Sequence, residues 1–301
     1  MDSKEKTAER IDSALIRDIR EEKPLVHAIT NPVTMTDVVN LILASGATAI
    51  CADDPKEAED ISSISDVTLL NIGMPSERKM QAMLLAGGKA NELGHPLLLD
   101  PVGAGASAFR KEILEKLLNE LHPTCIRGNQ SEMAALMGLV IPSRGVEDAG
   151  LSLDPKKLQS LARKLNTVLA VTGETDYAIS PNQILEIQTG TPLLKRITGS
   201  GCMLSGFLAA SIGAYYRRKN PEDSLHSDAF SIEDSDQSGK SVGREFSFDP
   251  EEILPVVQES LVTYGHLASL AEEEMKTGPV QGTMTFRTLF IDAFSRAAGL
   301  E

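Results

Sequence analysis

Pro96-Leu-Leu-Leu-Asp-Pro-Val-Gly103 is the stretch on which the fold turns. Its leucines are unbroken, with no polar alternation, and they stop at an aspartate, a proline and a glycine. A strand that is apolar on both sides must be covered on both sides. Four other runs read the same way: PLVHAI (24–29), VTLLNIG (67–73), TCIRGN (124–129) and TVLAVTG (167–173), each ending in turn residues. Between them lie stretches with helical periodicity, 77–92, 109–121 and 155–165. In the second, Leu114, Leu117, Leu118 and Leu121 recur on one face. Alternation of apolar strands with amphipathic helices predicts an α/β protein built on a parallel sheet. No repeat of 20–50 residues and no linker between halves is visible, so one domain over residues 1–301 is expected.

Composition agrees with a packed core. Of the 301 residues, 42% are apolar and 24% charged, close to ordinary globular usage, which excludes disorder over the whole chain. The 29 Lys and Arg face 43 Asp and Glu, a net charge of −14, which speaks against a nucleic-acid partner. A small anion is still admissible, because a local pocket can oppose the net charge. Cys51, Cys125 and Cys202 are far apart and form no CxxC pair. They suggest neither a disulfide framework nor a zinc site and suit a reducing cytoplasm. The charged N-terminus has no signal-peptide core, and the apolar run Gly201–Tyr216 is short for a membrane span. It reads as a buried helix, and a cytoplasmic protein without a membrane partner is expected.

One segment departs from the pattern. Asn220–Pro250 is rich in Ser, Asp and Glu and poor in aliphatic residues, so it reads as a flexible acidic surface insertion at about 220–250 between two helices. Its Gly239-Lys240-Ser241 imitates the end of a P-loop, but Asp234 stands where the first glycine is required and no strand precedes it.

Ligands of open parallel sheets bind at the carboxyl ends of strands. Asn31, Gly73, Asp100, Arg127-Gly128-Asn129 and Thr172-Gly173-Glu174 all fall at such ends. The most pointed feature is Thr198-Gly199-Ser200-Gly201-Cys202, which opens directly into MLSGFLAASIGAYY. A helix start offers free N–H groups and a weakly positive dipole end. Gly199 and Gly201 let an anion reach the backbone, although close packing of helix on sheet also wants glycine. Cys202, in the first turn, is either a weak base whose thiolate the helix end favours or a small buried space-filler. Asp100 and Glu132 could share a Mg²⁺ with phosphate oxygens, while Glu132 could equally cap a helix together with Asn129 or Ser131. Gly103-Ala104-Gly105-Ala106-Ser107-Ala108 matches the dinucleotide fingerprint GxGxxA. Pro101 and the lack of an acidic ribose partner at a strand end argue against a dehydrogenase.

LVHAITN (25–31), LLLDPVGAGAS (97–107), IRGNQSE (126–132), AVTGETD (170–176) and TGSGC (198–202), in that order, resemble the hydroxyethylthiazole kinase family of the ribokinase-like superfamily. The resemblance runs from about 24 to 213 and resumes from about 250 to 284. It implies a three-layer sandwich with a mostly parallel central sheet flanked by helices. It also implies ATP-dependent phosphorylation of 4-methyl-5-(2-hydroxyethyl)thiazole in thiamine salvage, with Mg²⁺, and a homotrimer with thiazole sites between subunits. On that resemblance Arg127 and Thr172 bind ATP, Asp100 and Glu132 serve metal and phosphate, and Asn31, Gly73 and Cys51 line the thiazole pocket. Gly199 matches a substrate-contacting position beside the phosphoryl group, and Gly201, from the reading of the helix start, is expected beside the transferred group with it. Cys202 stands where related sugar kinases keep an aspartate base. The sequence carries Cys51 where that family usually has Met, Met74 where Thr is common, and Pro32 after Asn31. Kinases of hydroxymethylpyrimidine or sugars are the nearest alternative, and a non-catalytic thiazole or nucleotide sensor is the alternative from another class.

Overall fold

A computed structural model describes residues 13–139, 152–222 and 248–300. Most of the acidic insertion, with its Gly-Lys-Ser, lies outside the described residues.

The elements run α1 (Ala14–Glu22), β1 (Leu25–Ile29), α2 (Met35–Ala44), β2 (Thr48–Ile50), α3 (Ala58–Ser63), β3 (Val67–Asn71), α4 (Glu77–Leu93), β4 (Leu97–Asp100) and α5 (Ala108–Glu120). Then come β5 (Cys125–Asn129), α6 (Gln130–Leu136), α7 (Pro155–Leu165), β6 (Val168–Thr172), β7 (Asp176–Ile179), β8 (Ile184–Ile187), α8 (Ser200–Lys219), α9 (Pro250–Thr277) and α10 (Thr283–Ala298). One eight-stranded sheet has the order β2-β1-β3-β4-β5-β6-β7-β8. β1 to β6 pair in parallel; β7 and β8 are added antiparallel.

Successive strand residues point to opposite faces. Leu69, Leu98 and Val168 enter one core with α1, α2, α8, α9 and α10, while Leu70, Leu97, Leu99 and Leu169 enter the other with α4, α5 and α7. The three layers follow from strands that are apolar on both sides. β2, β7 and β8 had no apolar run to announce them: they are short and partly exposed. Among the described residues, no helix is long and apolar enough to cross a membrane.

Two packing details fix the site. Phe207 on α8 meets Phe294 edge-on at 4.9 Å, and Tyr264 meets Phe290 at 4.9 Å. This aromatic cluster seats α9 so that the Tyr264 hydroxyl donates to the Ser200 carbonyl at 2.5 Å, at the start of α8. α9 comes so close to the segment after β8 that a Cβ on Gly265 would lie 2.2 Å from Thr189 Oγ1 and 2.9 Å from the Gly190 nitrogen. Gly265→Ala is therefore expected to destabilise by about 1–3 kcal/mol through overpacking, outweighing alanine's better helix propensity. A denaturant melt that leaves the midpoint unchanged would refute that closeness.

Candidate active site

β1 is flanked by β2 on one side and β3 on the other, so the chain reverses its direction of winding between β1 and β3. At that switch point Asn31, just beyond β1, donates its amide to Asn71 Oδ1 at 3.2 Å. The register then carries the line across the sheet. Asn71 sits opposite Asp100, and Asn129 opposite Thr172. Asn71 Nδ2 donates to Asp100 Oδ2 at 2.7 Å, and Ser205 on α8 donates to the same oxygen at 2.8 Å. Arg127 Nη2 donates to Thr172 Oγ1 at 2.8 Å, and Arg127 Nη1 stands 3.8 Å from Asp100 Oδ1.

α8 begins against this row. Gly199 is its cap with φ +83°, a conformation that suits glycine. A side chain there would also strike Thr34 Cγ2 at 2.6 Å. The Ser200, Gly201 and Cys202 amides precede the first intrahelical donor, Met203 N to Gly199 O at 2.8 Å. Gly201 faces Arg127: a Cβ would lie 2.4 Å from Nη1. The sheet thus presents its one buried guanidinium of this row to the open end of the helix.

Electrostatics sharpen the picture. Asp100 is fully buried and its Oδ1 has no hydrogen-bond partner. Burial first, then the field of Glu132, push its carboxyl up to about 7, against Arg127, Ser205 and Asn71. Burial works against the Arg127 charge, but Asp100 and Glu132 outweigh it and hold the guanidinium above its usual range. Cys202 Sγ accepts from Asn71 Nδ2 at 3.2 Å and Asn31 Nδ2 at 3.5 Å. Burial, reinforced by Asp100, raises this thiol, so the expectation that the helix end favours its thiolate is corrected: desolvation wins.

Glu132 closes a capping box at the start of α6. Asn129 Oδ1 accepts from Glu132 N at 2.9 Å, and Glu132 Oε2 accepts from Asn129 N at 2.8 Å. Its Oε1 accepts from Gly103 N at 2.9 Å, tying down the glycine loop after β4. Both oxygens keep a second lone pair. Among the described residues no three carboxylate, His or Cys side chains converge as a metal cage. Asp100 Oδ1, which accepts no hydrogen bond and has the Arg127 guanidinium 3.8 Å away, forms with Glu132 the kind of donor set Mg²⁺ uses when it shares phosphate oxygens and keeps waters.

On the other side of the switch point, Gly73 N donates to Asn71 Oδ1 at 2.9 Å, and a Cβ on Gly73 would fall 2.9 Å from Asn31 Nδ2. Cys51, just past β2, is exposed. The loop behind it is held by buried His27, whose ring bridges the Ala52 carbonyl and the Ser62 hydroxyl at 2.8 Å each. Burial lowers the His27 pKa and keeps the ring neutral. Sequence reasoning missed Asn71, Ser205, Lys79 and Tyr264. Asn71 was legible as the polar end of VTLLNIG; nothing local marks the others.

Polar groups at successive strand ends, a switch point and a glycine-opened helix make the carboxyl edge of the sheet a small-molecule site suited to phosphate, and the comparisons place it in a ribokinase-like kinase. A model of the hydroxyethylthiazole kinase family matches residues 16–251. A hydroxyethylthiazole kinase of Alkaliphilus oremlandii is 44% identical over 201 residues, spanning 66% of this chain and 74% of the relative. One of Alkaliphilus metalliredigens is 42% identical over 201 residues, with the same shares covered. The solved hydroxyethylthiazole kinase of Pyrococcus horikoshii OT3 superposes with a TM-score of 0.73 at 30% identity, covering 94% of this chain and 92% of that one. The chain belongs to the hydroxyethylthiazole kinase family.

Proposed function

We propose that this chain transfers the γ-phosphoryl group of ATP to the primary hydroxyl of 4-methyl-5-(2-hydroxyethyl)thiazole, a step of thiamine salvage. The observation that carries the reading is the start of α8, where Gly201 leaves room for the Arg127 guanidinium beside Asp100. The Ser200, Gly201 and Cys202 amides would hold the migrating phosphoryl oxygens. Arg127 would pair with phosphate oxygens while Thr172 keeps its orientation. Asp100, with Glu132 at its side, would hold Mg²⁺, which supplies charge neutralisation between the phosphates. Asn31, Gly73 and Cys51 would line the thiazole side. The hydroxyl oxygen bonds to phosphorus as the bond to the bridging oxygen of ADP breaks, and the alcohol proton leaves late.

That order of events leaves little for a base to do. The thiol of Cys202 is held protonated by burial, so Cys202→Ala is expected to keep turnover within about tenfold of the parent, well short of the 10²–10⁴-fold that a working base contributes. A larger loss in steady-state kinetics, with ATP binding intact, would make the cysteine an essential base. The amides of Asn31 and Asn71, already aimed at Sγ, would also serve a carboxylate, and Cys202→Asp is expected to raise turnover.

We further read the chain as one cytoplasmic domain over 1–301 that assembles as a homotrimer. Light scattering tests the assembly. Mass spectrometry of a mixture of protein, ATP, Mg²⁺ and the thiazole alcohol tests the activity. Phosphorylated alcohol is expected; ATP binding without any product would overturn the reading in favour of a sensor.

A further inference from the structure

Lys79, in the first turn of α4, is 5% exposed. A lysine at a helix start opposes the dipole, and a buried ammonium loses its hydration, so its position needs a reason. The side chain reaches back to the switch point. Its Nζ donates to the Thr30 carbonyl, immediately before Asn31, and to the Gly73 carbonyl at 3.5 Å. Both carbonyls belong to the loops that line the thiazole side in the reading above. Two of the three ammonium donors are thereby used and the third is free.

What the ammonium lacks is an anion. Among the described residues, no carboxylate lies within ion-pair distance of Lys79 Nζ. The ionisable groups whose fields reach it are Asp53, Cys202 and Cys51. Asp53 is on the exposed loop beside Cys51, and both sulfurs are raised toward the neutral thiol. Cys51 marks the outer side of the acceptor pocket and Cys202 its phosphoryl end. The ammonium therefore lies within electrostatic reach of both ends, and its hydrogen-bond partners are the neutral carbonyls of Thr30 and Gly73. Burial lowers its pKa, which is the cost of the missing counter-charge. A buried cation is tolerated when something pairs with it, and a ligand can be that partner.

The geometry points to Lys79 as a specificity-determining cation that selects an acceptor bearing a carboxylate in addition to its hydroxyl. The inference rests on the assignment of Asn31, Gly73 and Cys51 to the acceptor side. For the thiazole alcohol, ring carbon 2 is the only carbon free to carry the group, so the matching ligand is the 2-carboxylate. An ammonium–carboxylate pair formed out of water is worth more than the same pair at a surface, and it would hold Lys79 charged.

Isothermal titration of the full chain decides this with three ligands: the thiazole alcohol, its 2-carboxylate and its neutral 2-carboxamide. The carboxamide matches the carboxylate in size and separates charge from fit. The carboxylate is expected to bind about tenfold or more tighter than the carboxamide and the unsubstituted alcohol. Lys79→Met is expected to abolish that preference, the carboxylate and the carboxamide then binding alike, and Lys79→Arg to restore part of it. A carboxylate that binds no better than the carboxamide overturns the inference and leaves the kinase reading standing. A preference that survives in Lys79→Met overturns the role of Lys79. Failure of all three ligands to bind overturns the inference and the kinase reading together. If Lys79→Met does not fold, the wild-type comparison of carboxylate with carboxamide still decides.

Discussion

Replacing Gly201 by valine is expected to lower kcat/KM for ATP by about 10²–10³-fold, the usual penalty for losing one well-placed donor to a developing negative charge. The added carbon would lie 2.4 Å from Arg127 Nη1 and 2.9 Å from its Cζ. Arg127 cannot simply step aside. It is 8% exposed, donates to Thr172 at 2.8 Å and lies along Asp100. Pushing it out breaks the hydrogen bond, unpairs two buried charges and fills the space in front of the Ser200–Cys202 amides. Gly206→Ala, one and a half turns further along α8, supplies the control. Its Cβ would meet Val38 Cγ1 at 3.0 Å and Ile42 Cγ1 at 3.2 Å, which are apolar core contacts on α2. That variant should lose some thermal stability and keep its kinetics, while Gly201→Val should lose activity disproportionately. Equal kinetic losses in the two variants would mean that the helix start is packing alone.

The contrast between those glycines shows how much the sequence discloses. TGSGC before an apolar helix is legible because glycine pairs and a sudden loss of polarity are both local features, and both appear in the structure, in the positive φ of Gly199 and in the continuous burial of α8 from Cys202 to Ala214. The parallel core strands β1 and β3–β6 were legible for the same reason, being apolar runs with turn residues at their ends. Strand-end polarity likewise foretold Asn31, Asp100, Arg127 and Thr172 as neighbours on one edge, and the register brings them there. What stayed hidden depends on distant partners. Glu132 could be a cap or a ligand, and only the positions of Gly103 and Asn129 show that both its oxygens already hold backbone amides. The thiol of Cys202 could be read as favoured toward thiolate by its helix or as a small buried space-filler. Its pKa is raised, because burial beside Asp100 outweighs a half-charge at a helix end. Lys79 sits in an ordinary amphipathic helix, and no pattern in ERKMQAM announces that its ammonium points inward.

Asp100→Asn is expected to reduce kcat by about 10³-fold or more, a barrier increase of about 4 kcal/mol. The substitution is nearly isosteric, and the amide oxygen can keep both bonds now made at Oδ2, from Asn71 at 2.7 Å and from Ser205 at 2.8 Å. What changes is the other atom. Oδ1, buried and without a hydrogen-bond partner, becomes an amide nitrogen that presents hydrogens toward Arg127 and toward any cation that would approach. A hydrogen-bonding role for Asp100 would survive this exchange; a role in holding Mg²⁺ would not. Removing the carboxyl group also makes the pocket more positive wherever Asp100, its pKa pushed up to about 7 by burial, is ionised, so the titration is run above that pH. Metal-free ATP, titrated in the presence of a chelator, should therefore bind Asp100→Asn at least as tightly as the parent, while the gain in affinity that Mg²⁺ brings to the parent should vanish. The two effects have opposite signs, so general damage to the site cannot imitate them, since damage would weaken ATP in both titrations. Turnover of the parent and the variant at the same rate under saturating Mg²⁺ would show that the buried carboxylate serves the hydrogen-bonded row of Asn71, Asp100 and Ser205 and takes no part in phosphoryl transfer.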